Sequence, residues 1–181
     1  MASEKKNLVV LFPGTGYTVS SPLLYYADFK YYVKGYDNIK INYGECVRKD
    51  ISWDEIIENI KVHVSEQIKN VDFSKYEDVL FVSKSLGTII AGWLADKLAI
   101  NIRHIYLTPL GGTLQYIKSG KNISIVIAGT KDNFMEACVL AEHCEREKIK
   151  LELIENTGHS LEIAGDMNVN IDILKRIVEL Y

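Results

Sequence analysis

Ser85 stands where a chain could make a serine reactive. The apolar run 78–83 (DVLFVS) leads directly into Ser83-Lys84-Ser85-Leu86-Gly87, and a helical pattern follows from Thr88 to Ala99. A nucleophile at the apex of a sharp strand-to-helix turn needs small residues two before and two after it. Larger side chains there would strike the adjoining strand and helix. Ser83 and Gly87 satisfy this, although glycine is more usual at the first of the two positions. Thr88 is bulkier than the geometry favours. On this string alone Ser85 reads equally as an N-cap that satisfies a free helix amide.

A serine hydroxyl attacks only when a base removes its proton, and the base needs a carboxylate to fix its tautomer. Strand candidate 122–128 is followed by Gly129-Thr130-Lys131-Asp132, and strand candidate 149–154 by Glu155-Asn156-Thr157-Gly158-His159. Ser85, Asp132 and His159 thus each follow a strand. The other histidines suit the task less well. His63 lies off the apolar stripe of a helix, His143 sits in the charged run 142–148, and His104 opens a strand at the end away from the expected site. Asp96 falls inside a helix, Asp166 begins one, and Glu162 reads as a capping or first-turn acid. Lys84 is expected to be a strand-end residue whose ammonium reaches solvent.

The elements that position these residues follow from periodicity. Strand candidates are 7–12, 38–43, 78–83, 103–108, 122–128 and 149–154, several of them continuous in Val, Ile and Leu as in parallel strands covered on both faces. Helical patterns span 52–69, 86–99, 134–147 and 168–180. The first opens on a capping box, Ser52 with Glu55, and continues with the stripe Ile56, Ile60, Val64, Ile68. Such alternation predicts an α/β three-layer sandwich, with a mostly parallel sheet of about six strands and right-handed crossovers. One domain is expected over residues 1–181. Ligands of open sheets bind beyond the carboxyl ends of the strands.

The segments LFPGTG (11–16), VSKSLGT (82–88), IAGTKD (127–132) and NTGHSLE (156–162) together resemble a small α/β-hydrolase, of the dienelactone-hydrolase-like and carboxylesterase- or thioesterase-like kind. The order Ser, Asp, His matches that superfamily. The resemblance implies a serine hydrolase acting on an ester or thioester, with no metal and no organic cofactor. It also implies an oxyanion hole made by the Leu86 N–H and one from the loop after the first strand, Thr15 being expected and Gly16 its nearest rival. Two departures stand out: Pro13 occupies a position where many members have histidine, and Ser83 replaces the elbow glycine. The sheet would begin at the superfamily's third strand, without a leading hairpin, and 109–121 is too short for a lid. An exposed site for a small-molecule acyl substrate is expected.

Tyr17 and Gly16 are the expected substrate contacts beside the oxyanion loop, with Leu110, Phe134 and Met135 as an apolar wall. The tyrosine-rich stretch 17–36 is expected to pack a helix against the sheet, phenolic ends outward. Two other readings remain. Gly14-Thr15-Gly16-Tyr17-Thr18 after a first strand is faintly similar to a flavodoxin phosphate loop, which would make the chain a nucleotide- or flavin-binding protein. A hydrolase-fold binding protein without activity is the other. The dinucleotide pattern G-x-G-x-x-G fails at Val19.

Composition bounds these readings. The chain has 181 residues, with 48% hydrophobic and 25% charged, as in an ordinary globular domain. A net charge of −3 gives no basic footprint for nucleic acid. Three cysteines without metal-like spacing read as free thiols of a reducing compartment. Residues 1–12 are too short in apolar character for a signal peptide, and no run would span a bilayer. A cytoplasmic protein without membrane contact is expected.

Overall fold

Alternate residues of the run 7–12 serve two different apolar layers, which is why the run is continuous. In the computed structural model, which describes residues 6–181, Leu8, Val10 and Phe12 join one core cluster while Val9 and Leu11 join the other. The run is strand β1 (Lys6–Phe12), followed by α1 (Pro22–Val33), β2 (Tyr36–Lys40), α2 (Trp53–Ile68) and β3 (Tyr76–Lys84). Helix α3 (Leu86–Leu98), β4 (Arg103–Leu107), β5 (Ile123–Gly129), α4 (Ala137–Glu147), β6 (Leu151–Ile154) and α5 (Met167–Glu179) complete the order. Residues 1–5, on which the reading of the amino terminus partly rests, lie outside the described range.

All pairings are parallel, in a 6-stranded sheet of order β2-β1-β3-β4-β5-β6. Every strand therefore delivers its following loop to the same edge. Buried residues of α2, α3 and α4 cover one face, and those of α1 and α5 the other. Burying each large aliphatic side chain contributes about 1.5–3 kcal/mol, so the two layers dominate stability. Doubly wound nucleotide-binding sheets share this kind of order, so topology alone does not separate the hydrolase and flavin readings.

Local signals are met closely in α2. The Ser52 hydroxyl accepts the Glu55 N–H, the Glu55 carboxylate accepts the Ser52 N–H, and Ile56, Ile60, Val64 and Ile68 are buried. Strand β2 begins two residues before the predicted 38–43 stretch. Its continuation departs after the Ile41 N–H reaches the Leu11 carbonyl at 3.0 Å. Helix α4 starts at Ala137, not 134, because the Phe134 N–H is held by the Asp132 carboxylate at 2.9 Å. Between β4 and β5 the chain forms one short 3-10 turn, Gly111–Thr113, and no lid.

The tyrosine-rich stretch departs from expectation. Helix α1 packs through Leu23, Leu24, Ala27 and Tyr31, whereas Tyr25, Tyr26, Phe29 and Tyr32 are 42% to 66% exposed. Neighbouring positions on a helix point about 100° apart, so the adjacent pairs could not all face the sheet. Among the described residues, no helix is long and apolar enough to cross a membrane.

His104 opens β4 away from the site, as read from sequence, but it is buried and stacks on Tyr106 with ring centroids 4.9 Å apart. Its Nδ1 lacks a partner among the described residues. Burial pushes its pKa down to about 3, aided by Lys121 and opposed by Asp96. The unfolded chain then binds more protons between about pH 6.5 and 3, so stability is lost as pH falls through that window. His104→Phe, which keeps the stacked ring, is expected to flatten this loss; urea midpoints measured at pH 7 and pH 4.5 would reveal it.

Candidate active site

The small-residue requirement at the turn after β3 takes physical form at Gly87. A Cβ there would lie 2.5 Å from the Pro13 carbonyl oxygen and 2.6 Å from that of Phe12, so α3 starts hard against the end of β1. Ser85 sits between them at φ 55° and ψ −122°, a conformation rarely adopted by a residue with a side chain. It occupies the N-cap position of α3, yet its hydroxyl makes no capping bond. The helix start is secured instead by Thr88, whose hydroxyl donates to the Ser85 carbonyl at 2.6 Å and meets the Thr113 hydroxyl at 2.6 Å. Thr88 thus has a use for its bulk. Ser83, in the glycine position, is fully buried with its hydroxyl 3.4 Å from the Ile105 carbonyl.

The Ser85 hydroxyl is turned to His159, with Oγ 2.8 Å from Nε2. On the other side of the ring, Nδ1 lies 2.8 Å from Asp132 Oδ2. Burial would raise the Asp132 carboxyl. The hydrogen bonds from His159 and the Phe134 amide, with the charges of His159 and Lys84, hold it below the ordinary carboxylate range. An ionised carboxylate fixes the proton on Nδ1 and leaves Nε2 free to accept one.

Two loops stitched to each other set this alignment. The Lys131 N–H donates to the Thr157 carbonyl at 2.9 Å, the Asn156 N–H to the Thr130 hydroxyl at 2.8 Å, and the Thr130 N–H to the Ile154 carbonyl at 3.1 Å. Gly129 permits the contact: a Cβ there would fall 2.6 Å from the Gly158 carbonyl oxygen and from the Thr157 hydroxyl, and nearer still to the Thr157 carbonyl.

The loop after β1 approaches from the opposite side. A Cβ on Gly14 would be 3.1 Å from Ser85 Cβ, so the loop backs directly onto the serine. Among the described residues, the Thr15, Gly16 and Leu86 N–H groups donate to no protein acceptor, whereas the Gly14 N–H is taken by the Tyr17 carbonyl at 2.9 Å. The Tyr43 hydroxyl donates to the Pro13 carbonyl at 2.9 Å and anchors the loop from beneath.

The expected pocket residues diverge. Phe134 is 66% exposed and leans on the His159 ring at a centroid distance of 4.6 Å. Tyr17 is half-buried, its hydroxyl accepting the Leu23 N–H at 2.8 Å, and burial raises its pKa to about 12 despite that bond. Gly16 is exposed. Leu110 lines a groove of about 520 Å³ with Trp53, Ile57, Ile89 and Tyr116. Met135 is not a pocket wall: it is 6% exposed and packed in the core, because the turn at 133–136 carries it inward beside α4.

Lys84 overturns its expectation most sharply. It is 1% exposed, and its ammonium donates to the Thr108 hydroxyl at 2.5 Å and the His159 carbonyl at 2.6 Å, 5.2 Å from the Tyr17 ring centroid. Burial pushes its pKa down to about 8, against the pull of Asp132 and Glu162. The sequence held a usable signal: Lys84 continues the alternation of Leu80 and Val82, which face the α1 and α5 layer. Of the other candidates, Asp96 pairs with Lys121 at 2.6 Å and Asp166 caps α5, while Glu162 and His63 are exposed. His143 is half-buried, its Nε2 2.7 Å from the Ile117 carbonyl.

Comparison of the fold with solved structures finds α/β-hydrolases. A protein from Xanthomonas campestris assigned to that superfamily aligns with TM-score 0.71 at 13% identity, over 97% of this chain and 98% of its own. The esterase Pf2001 of Pyrococcus furiosus aligns with TM-score 0.66 at 15% identity, over 97% and 82%. Est1E from Butyrivibrio proteoclasticus aligns with TM-score 0.63 at 14% identity, over 99% and 90%. No protein-family model and no curated protein matches the sequence. The chain has the α/β-hydrolase fold.

Proposed function

We propose that this chain is a serine hydrolase that cleaves a small ester or thioester through an acyl-enzyme. The observation that carries the reading is the hydrogen-bonded series Asp132–His159–Ser85, with its serine on a strained turn between strand and helix. Membership of the fold by proteins described as esterases supports it. In the first half-reaction His159 Nε2 takes the Ser85 proton as Oγ bonds to the substrate carbonyl carbon. The carbonyl oxygen becomes an oxyanion that accepts hydrogen bonds from the Leu86 and Thr15 N–H groups. The imidazolium, steadied by Asp132, then protonates the leaving alcohol or thiol as its bond to carbon breaks. Water, deprotonated by the same nitrogen, releases the acid and restores Ser85. A side chain such as Phe134, exposed beside the imidazole, offers apolar contact to a short acyl or alcohol group.

The test is covalent. A fluorophosphonate probe is expected to add once per chain, with the adduct on Ser85 by peptide mass spectrometry, and the same preparation to hydrolyse p-nitrophenyl acetate. Intact protein without an adduct and without hydrolysis would leave the fold as that of a binding protein. A yellow flavin spectrum after purification would favour the nucleotide-binding reading.

A further inference from the structure

The serine and the histidine meet at one hydrogen bond, and a second connection between them runs through Lys84. Lys84 adjoins Ser85 in the chain, and its ammonium holds the backbone carbonyl of His159 at 2.6 Å. Its other acceptor, the Thr108 hydroxyl at 2.5 Å, belongs to a buried residue just beyond β4 at φ 43°. The Thr108 backbone is itself fastened by its N–H to the Ile127 carbonyl of β5 at 2.7 Å. The face of Tyr17, on the loop after β1, lies 5.2 Å from the ammonium. One buried side chain therefore touches the loops that follow β1, β4 and β6 while standing at the end of β3. An ammonium in so dry a place is costly unless its donors are used, and here they are used on the loop that bears the base.

We propose that Lys84 is a positioning residue of this site: it closes a ring from Ser85 through its own side chain to the His159 backbone and back through the imidazole. The inference rests on the hydrolase reading for its kinetic consequence. Its geometric content stands without it. Within the ring, the loop 155–159 cannot carry the imidazole away from Ser85 without breaking the bond from Lys84, while Asp132 holds the ring's orientation. Alignment of a base acts in the transition state, where the proton moves, so its loss lowers kcat and leaves KM nearly unchanged.

Lys84→Met keeps an unbranched apolar stem, one atom shorter, but removes every donor. Its kcat for p-nitrophenyl acetate is expected to fall about 10²-fold, the usual penalty for misplacing a catalytic group by about 1 Å. KM is expected to stay within about twofold, since the ground-state contacts are not altered. An independent arm reads the imidazole directly. The His159 Nδ1 proton, held on Asp132, is expected to give a far-downfield proton NMR signal that Asp132→Asn abolishes and Lys84→Met broadens by faster exchange. Lys84→Ala supplies a further arm: it leaves a slot, and propylammonium is expected to restore part of kcat where sodium at equal ionic strength does not. An undiminished kcat with an unchanged signal in Lys84→Met would overturn the proposal, and so would failure of rescue in Lys84→Ala. Should the wild-type chain show neither hydrolysis nor labelling, the hydrolase reading falls instead, and the proton signal alone decides whether Lys84 positions His159.

Discussion

Ser85→Ala is expected to lower kcat for p-nitrophenyl acetate by on the order of 10⁶-fold while the chain stays folded. The size follows from the geometry. Ser85 Oγ is the atom 2.8 Å from His159 Nε2, and alanine leaves nothing there to bond to carbon. Alanine keeps the turn at φ 55° and fits the space, so the thermal midpoint is expected to change by only a degree or two. His159→Ala is expected to cost about as much, and the double variant no more than either alone, because the two groups act as one unit. Asp132→Asn, which leaves the ring free to take the wrong tautomer, is expected to lower kcat roughly 10⁴-fold. A residual rate above water is expected in all of them from the Leu86 and Thr15 amides. Stopped-time assays with active-site titration check these values; a Ser85→Ala variant that keeps a tenth of the wild-type rate would sink the mechanism.

Gly129→Ala is expected to be the most damaging single methyl in the fold. The added carbon would press on the Thr157 carbonyl and hydroxyl and the Gly158 carbonyl, all within 2.6 Å and two of them backbone. Backbone does not yield as the end of a flexible side chain does, so the loops bearing Asp132 and His159 must part. Overpacking costs about 1–3 kcal/mol in ordinary cores, and this contact belongs at or beyond the upper end. The Lys131–Thr157 and Asn156–Thr130 bonds would lengthen together, and the Asp132–His159 bond with them. Urea unfolding of the variant is expected to show a loss of about 3 kcal/mol or more, with kcat falling further than the folded fraction. Activity that simply tracks the folded fraction would show that the loops tolerate the strain without moving the base.

Much of the candidate site's geometry could be read from the sequence because it follows from local strings. Ser85 announced itself through the small residues around it, and Asp132 and His159 through their places just after strands. The α2 cap and stripe were likewise local. What could not be read depends on contacts that the periodicity of a segment does not show. Lys84 is at a strand end, where solvent is the ordinary environment, and only Thr108, His159 and Tyr17 arriving from other strands make it a buried one. Met135 turned inward because a carboxylate two residues before Phe134 captured an amide and bent the chain. His104 began a strand yet lay under aromatic rings from β3 and β4. The burial of Lys84 and, in part, of His104 comes from residues on other strands, and the turn that buries Met135 from one side-chain bond; periodicity along a segment encodes neither.

The connection between β4 and β5 has a consequence for selectivity. It carries one short 3-10 turn, Gly111–Thr113, and no lid. An enzyme gains rate from remote parts of a substrate only by gripping them while the reacting centre changes. With no lid between β4 and β5, a hydrolase of the kind proposed above would grip little of a long acyl chain, and each methylene that is held alters discrimination by only about 1–3 kcal/mol. Under the proposed function, the rate at such a site is expected to follow the intrinsic lability of the bond. Activated thioesters and good leaving groups would therefore be favoured over poor ones more strongly than one chain length is over another.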